Sequence, residues 1–179
     1  MSDGAVETTR DEVDDLVAAW RRERPDLDVS PLEVLSRVSR LARHLDRARS
    51  QVFLIHGLET WEFDVLTALR RAGEPHELSP GRLLQQTLVT SGTMTNRIDR
   101  LAERGLVERH PDTLDRRGVI VRLTDEGAHK ADAALIDLLA QERELLVGLT
   151  DDQRVVLADL LRVLAAPFDQ AAGDRLSDR

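Results

Sequence analysis

Apolar residues fall three and four apart through most of this chain, and Pro, Gly and capping residues mark the gaps between the periodic stretches. Val13, Leu16, Val17 and Trp20 give one helix face over about residues 9–22, and Pro25 closes it. Ser30 then reads as an N-cap, with Pro31 at the first helical position and Glu33 completing a capping box. Leu32, Leu35, Val38, Leu41, Leu45 and Ala48 carry that helix to around Phe53. After a break at His56, Gly57 and Leu58, the apolar positions Phe63, Leu66 and Leu69 predict a helix over 60–72 with Gly73 as its stop. Glu74, Pro75 and His76 form the following loop.

Two short helical patterns come next, 79–87 opened by Pro80 and 90–104 closed by Gly105, and a tight turn between two helices is the helix-turn-helix plan. The period then changes. Leu106, Val107 and Arg109, and later Val119, Ile120, Val121 and Leu123, flank HPDTLDRRG as two strands of a small hairpin with a charged tip. Thr124 caps a long helix to roughly residue 146. Thr150 opens the last helix through a second capping box, TDDQ, with Val156, Leu160 and Leu164 as its stripe. The expected fold is mainly α with a small β-hairpin wing. A winged helix-turn-helix lobe over about 60–123 joins a helical dimerisation region over about 1–56 and 124–179.

Composition narrows what such a fold can do. With 179 residues, one core is expected, alone or completed by a partner chain, and 41% hydrophobic against 32% charged residues suits a folded helical protein. The absence of cysteine excludes disulfides and thiol-based sensing. The N-terminus MSDGAVETTRDEVDD has no signal-peptide pattern, and no run of 18 apolar residues occurs, so a cytoplasmic protein without membrane contact is expected. The net charge is −8, yet residues 89–123 carry seven Arg against five acidic residues, a basic module in an acidic body. No GxSxG, Walker A, HExxH or GxGxxG occurs, and the five His stand singly at 44, 56, 76, 110 and 129. An enzyme is therefore not expected, nor a cofactor or a metal.

The second helix of the pair, TSGTMTNRIDRLAERG, turns Met94, Ile98 and Leu101 inward and presents Gly92, Thr93, Thr95, Asn96, Asp99 and Arg100 on the opposite face. Short polar side chains at the start of an exposed helix suit the major groove, where Ser, Thr and Asn reach base edges. Ser91, Thr93, Thr95, Asn96 and Arg100 are the candidate DNA contacts there. Arg116 and Arg117 at the hairpin tip are placed for the minor groove or backbone. An ordinary solvated helix face and ordinary surface arginines are the plainer readings, and the succession of the two features favours DNA.

The run SGTMTNRIDRLAERGLVERHPDTLDRRGVIVRLTDEG resembles the recognition helix, wing and next helix start of the MarR family of bacterial regulators, most specifically in DRR followed by LTDEG. The resemblance reaches from about Leu32 to the end. It implies a homodimer built from the terminal helices, a palindromic double-stranded operator, and regulation by a small ligand, with a repressor as the expected sense. Within the family the chain resembles the urate-responsive subgroup, which has an extra N-terminal helix bearing a Trp, an Asp and an Arg seven apart, and an Arg in the recognition helix. Trp20, Asp64, Arg71 and Arg97 match those positions. Seven residues place Asp64 and Arg71 on one helix face, two turns apart. A planar anion can be held by an Arg fork, covered by an indole and met at an N–H edge by a carboxylate.

Taken singly, Trp20 is a packing residue, Asp64 with Arg71 a surface pair, and Arg97 a phosphate contact. A MarR-type regulator of a different ligand, a ligand-independent DNA binder and a protein-interaction module stay open beside the urate-responsive reading.

Overall fold

A computed structural model describes residues 10–87, 91–112 and 118–177 of the chain. Seven helices and three strands lie among them: α1 Glu12–Glu23, α2 Ser30–Ile55, α3 Thr60–Arg71, β1 Glu77–Leu78, α4 Pro80–Thr87, α5 Ser91–Glu103, β2 Val107–Pro111, β3 Val119–Leu123, α6 Asp125–Leu145 and α7 Asp151–Ser177.

Local chemistry explains most of the boundaries. Asp11 caps α1, and Asp14 returns the bond to the Asp11 N–H at 2.9 Å. Thr124 Oγ1 accepts from the Gly127 N–H at 3.0 Å, and Thr150 with Gln153 closes the expected box before α7. The Ser30 box expected from the sequence does not form. Ser30 is the first helical residue, with its own N–H bonded to Asp28 Oδ1 at 3.0 Å, so Asp28 supplies the acceptor that Ser30 was expected to be. Glu59, unremarked in the sequence, caps α3 with Glu62.

The sheet runs β1-β3-β2, all antiparallel, with Val107 opposite Leu123 and Pro111 opposite Val119. The hairpin stands as expected. β1 does not appear in the sequence reading, because two residues cannot establish a period of two. It adds Glu77 opposite Arg122, where Arg122 Nη2 reaches Glu77 Oε2 at 2.7 Å.

One main core joins the end of α2 with α3, α4, α5, the sheet and the first half of α6. Leu66, Leu69, Leu83, Met94, Ile98, Leu101 and Val121 are all buried in it, and Phe53 stacks on Phe63 with centroids 4.1 Å apart. Gly105 follows α5 at φ +69°, and the Leu106 N–H returns to the Leu101 carbonyl at 3.0 Å, so the chain turns directly from α5 into the wing. A second, small core of Val13, Val17 and Val29 fastens α1 to the start of α2. Around it, Arg37 binds Asp11 and Asp14, and Arg21 binds Glu33.

The last helix is different. From Asp151 to Phe168 no side chain of α7 is buried, and Val156, Leu160, Leu161, Leu164 and Phe168 all face outward. Val34, Leu35, Val38 and Leu41 on α2 and Ile136 and Leu139 on α6 are exposed as well. No helix among the described residues is long and apolar enough to cross a membrane.

Candidate nucleic-acid interface and ligand site

α5 lies with Met94, Ile98 and Leu101 in the core, which leaves Thr93, Thr95, Asn96, Asp99 and Arg100 exposed. Ser91 is the first residue of the helix. Arg109 on β2 reaches Asp99 at 2.6 Å, tying the recognition helix to the wing. Where the wing's tip loop leaves the strands, the Asp112 N–H bonds the Gly118 carbonyl at 3.0 Å; Arg116 and Arg117 lie outside the described residues.

Arg100 is engaged with the protein itself. Its Nη2 meets Glu59 Oε1 at 2.5 Å, and its guanidinium carbon stands 4.8 Å from the centre of the Trp61 ring. One turn on, Arg104 binds Glu62, a fully buried carboxylate, and donates to the Gly57 carbonyl at 2.7 Å. Glu59 is held below the usual carboxylate range, first by the Trp61 indole N–H and then by Arg100. Of the positive charges expected to give residues 89–123 their basic character, Arg100, Arg104, Arg109 and Arg122 are thus ion-paired inside the lobe.

Asp64 sits on the outer face of α3 where three hollows meet. One, of about 600 Å³, lies between Asp64, Trp61, Arg97 and Leu54. A second, of about 250 Å³, has Asp64 and Arg71 on one wall and Gln86 and Thr87 of α4 on the other. The third, of about 500 Å³, is lined by Phe53, Phe63 and Leu138 together with the polar side chains of Asp46, Arg49, Ser50, Thr60 and Asp64. Burial pushes the Asp64 carboxyl above its ordinary value, while the guanidinium groups of Arg97, Arg49 and Arg71 pull it back. Asp64 therefore shares one hollow with Arg97 and another with Arg71, on either side of α3.

Trp20 is not among them. It is 47% exposed near the end of α1, beside Arg21, which pairs with Glu33, and none of the three Asp64 hollows includes it. The α2 residues that line the Asp64 hollows begin at Asp46, about 20 Å further along that helix at 1.5 Å per residue. Two side chains that the sequence reading passed over take places at the site, Trp61 and Arg49. Their signal in the sequence is faint, since a Trp at a helix start and an Arg on a long polar face are common.

A helix pair whose second member projects polar residues, followed at once by a hairpin that β1 completes into a three-stranded sheet, is a winged helix-turn-helix. The sequence profile of the MarR family matches residues 56–118. The HTH-type transcriptional regulator PecS of Dickeya dadantii is 39% identical over 150 residues, 84% of this chain and 90% of that protein. The HTH-type transcriptional repressor NicR of Pseudomonas putida is 36% identical over 152 residues, 82% of this chain and 93% of that one. A cysteine-to-serine mutant of MarR from E. coli, solved in complex with operator DNA, superposes with a TM-score of 0.63 at 30% identity, covering 77% of this chain and 99% of that one. Sco5413, a MarR family transcriptional regulator from Streptomyces coelicolor, shares the fold at a TM-score of 0.64 and 24% identity, over 82% of this chain and 98% of its own. The chain belongs to the MarR family of transcriptional regulators.

Proposed function

We propose that the protein is a homodimeric repressor that reads a palindromic operator and leaves it when urate or a related small aromatic anion binds beside Asp64. One observation carries this reading: Arg97, which faces Asp64 across the 600 Å³ hollow, is a residue of the same helix that presents Thr93, Thr95 and Asn96 outward. A ligand that holds Arg97 acts on the DNA-reading helix directly. Ser91, Thr93, Thr95 and Asn96 are the base-facing candidates and Arg116 and Arg117 the wing contacts, with Arg100 serving to brace the helix. Asp64 and Arg97 form the anion site, Arg71 lines the adjoining hollow that shares Asp64, and Trp20 joins the site only if another copy or a movement of α1 brings it there.

The dimer rests on the apolar faces of α2, α6 and α7, which a second copy would cover, leaving residues 60–123 as the DNA-binding lobe. Two such lobes must meet successive major grooves about 34–36 Å apart, so a small rotation of either is enough to lose the fit. The ligand weakens DNA binding by the difference in its affinity for the two arrangements.

The test is a mobility-shift titration on the DNA upstream of the protein's own gene, with and without urate, at stated salt. Tight binding that urate weakens, and that urate no longer weakens in Arg97→Ala, is the expected result. Tight binding indifferent to urate would turn attention to a different ligand. A second place to seek its site is the hollow of Phe53, Phe63 and Leu138, which Arg49 and Asp64 also line.

A further inference from the structure

The recognition helix is fastened to the first turn of α3 by three arginines at successive turns, and the three attachments are unequal. Arg104 is bound to Glu62, which has no exposed surface, and to the Gly57 carbonyl. Arg100 is bound to the exposed carboxylate of Glu59 and lies over the Trp61 ring. Arg97 has its guanidinium carbon 5.3 Å from the centre of the same ring and lines the open hollow opposite Asp64. The hold thus weakens from the C-terminal end of α5 toward the DNA-reading end. Trp61 receives two of the three arginines. Its own plane is fixed by the indole N–H, which donates to Glu59 Oε2 at 2.7 Å.

We propose that Trp61 is the positioning residue that couples the anion site to the recognition helix, an inference that rests on the ligand reading above. A planar anion entering the hollow of Trp61, Asp64 and Arg97 competes with the indole for the Arg97 guanidinium. Paired, charge-assisted N–H···O bonds hold a guanidinium more strongly than the face of a half-exposed ring does. When Arg97 leaves the ring, the N-terminal half of α5 loses that support, while the Arg104–Glu62 end stays anchored. The helix then pivots about its C-terminal end, and Thr93, Thr95 and Asn96, furthest from the pivot, move most. Trp61 is also the aromatic surface of this hollow, a place that Trp20 does not occupy within the chain.

The chain has two Trp and no Tyr, so the inference can be read in emission. In Trp20→Phe, Trp61 is the sole emitter, and this variant should release DNA with urate at the wild-type midpoint; loss of that response would give the aromatic place in the site to Trp20 and overturn the inference. Titrating this variant with urate, corrected for urate absorbance, should change its emission with the same midpoint at which DNA is released. Release of DNA without any change in Trp61 emission overturns the inference. Trp61→Phe keeps a ring and should keep the urate effect, defined as the ratio of DNA affinities without and with urate. Trp61→Leu should cut that ratio by about two- to five-fold, the equivalent of one exposed cation–π contact. If Trp61→Leu weakens DNA binding equally with and without urate, leaving the ratio intact, Trp61 is a packing residue and the inference fails. If Trp61→Leu does not fold, the emission of Trp20→Phe and the ratio in Trp61→Phe still decide. A wild-type protein that binds DNA and ignores urate removes the ligand reading and this inference together, whereas a responsive wild type with a silent Trp61 removes this inference alone.

Discussion

α5 and α7 carry the same signal and meet opposite fates. Met94, Ile98 and Leu101 line one face of α5 and are buried, whereas Val156, Leu160 and Leu164 line one face of α7 and are open to solvent. α6 contains both outcomes in one helix: Ala131, Ala134 and Leu138 are buried against the lobe, and Ile136, Leu139 and Leu145 are exposed. A helical stripe states that a face will be covered and says nothing about which chain covers it. In the lobe the cover is α3, α4 and the sheet. For α7 the described residues supply none, and Val34, Leu35 and Leu41 on α2 are likewise exposed.

The comparison breaks most sharply at α7. Leu160→Glu combined with Leu164→Glu should leave the lobe folded and shift the mass in sedimentation equilibrium from twice 20.1 kDa to 20.1 kDa. Losing the second lobe should weaken operator binding by about 10²–10⁴-fold. A double variant that still sediments as a dimer would mean that α7 is covered by something else. Inside the lobe, Leu101→Ala should cost about 2–5 kcal/mol in denaturant unfolding, because it empties a fully buried site. A loss under about 1 kcal/mol would mean that α5 packs less tightly than its burial implies.

The smallest effect concerns acid. Glu59 has its value lowered in the folded protein, first by the Trp61 N–H and then by Arg100. A carboxylate shifted down stabilises while ionised, so its contribution is complete above the unfolded value and lost as pH falls through the folded one. Trp61 emission in Trp20→Phe should therefore hold through the ordinary glutamate value of about 4.3 and change only below it. A midpoint above that value would uncouple Glu59 from the indole.

Where a boundary is written in one or two neighbouring residues, it was legible: Thr124 before α6, Thr150 with Gln153 before α7, and the alternating strands around the wing. The start of α2 was misread because two acceptors, Asp28 and Ser30, stand two apart and only the backbone geometry chooses between them. The candidate site was legible where it depends on one helix, as in the seven-residue step from Asp64 to Arg71. It was not legible where it depends on two. Arg97, Arg100 and Arg104 fall on one face of α5, but nothing in the sequence says that this face meets Glu59, Trp61 and Glu62 rather than a phosphate backbone. Trp20 carries the opposite lesson, since its helix packs on the far end of α2 through Val13 and Val17.

The first turn of α6 touches the root of the wing so closely that a Cβ on Gly127 would lie 2.1 Å from the Leu106 carbonyl oxygen. There is no slack at that joint. Beyond it α6 runs eighteen residues to Leu145, a lever of about 27 Å at 1.5 Å per residue. Tilting such a lever by about 5° carries its far end through roughly 2 Å. An added methyl group at Gly127 would have to push the first turn of α6 away from the wing, and at the far end of the helix that small change of angle would be felt as a displacement of ångströms.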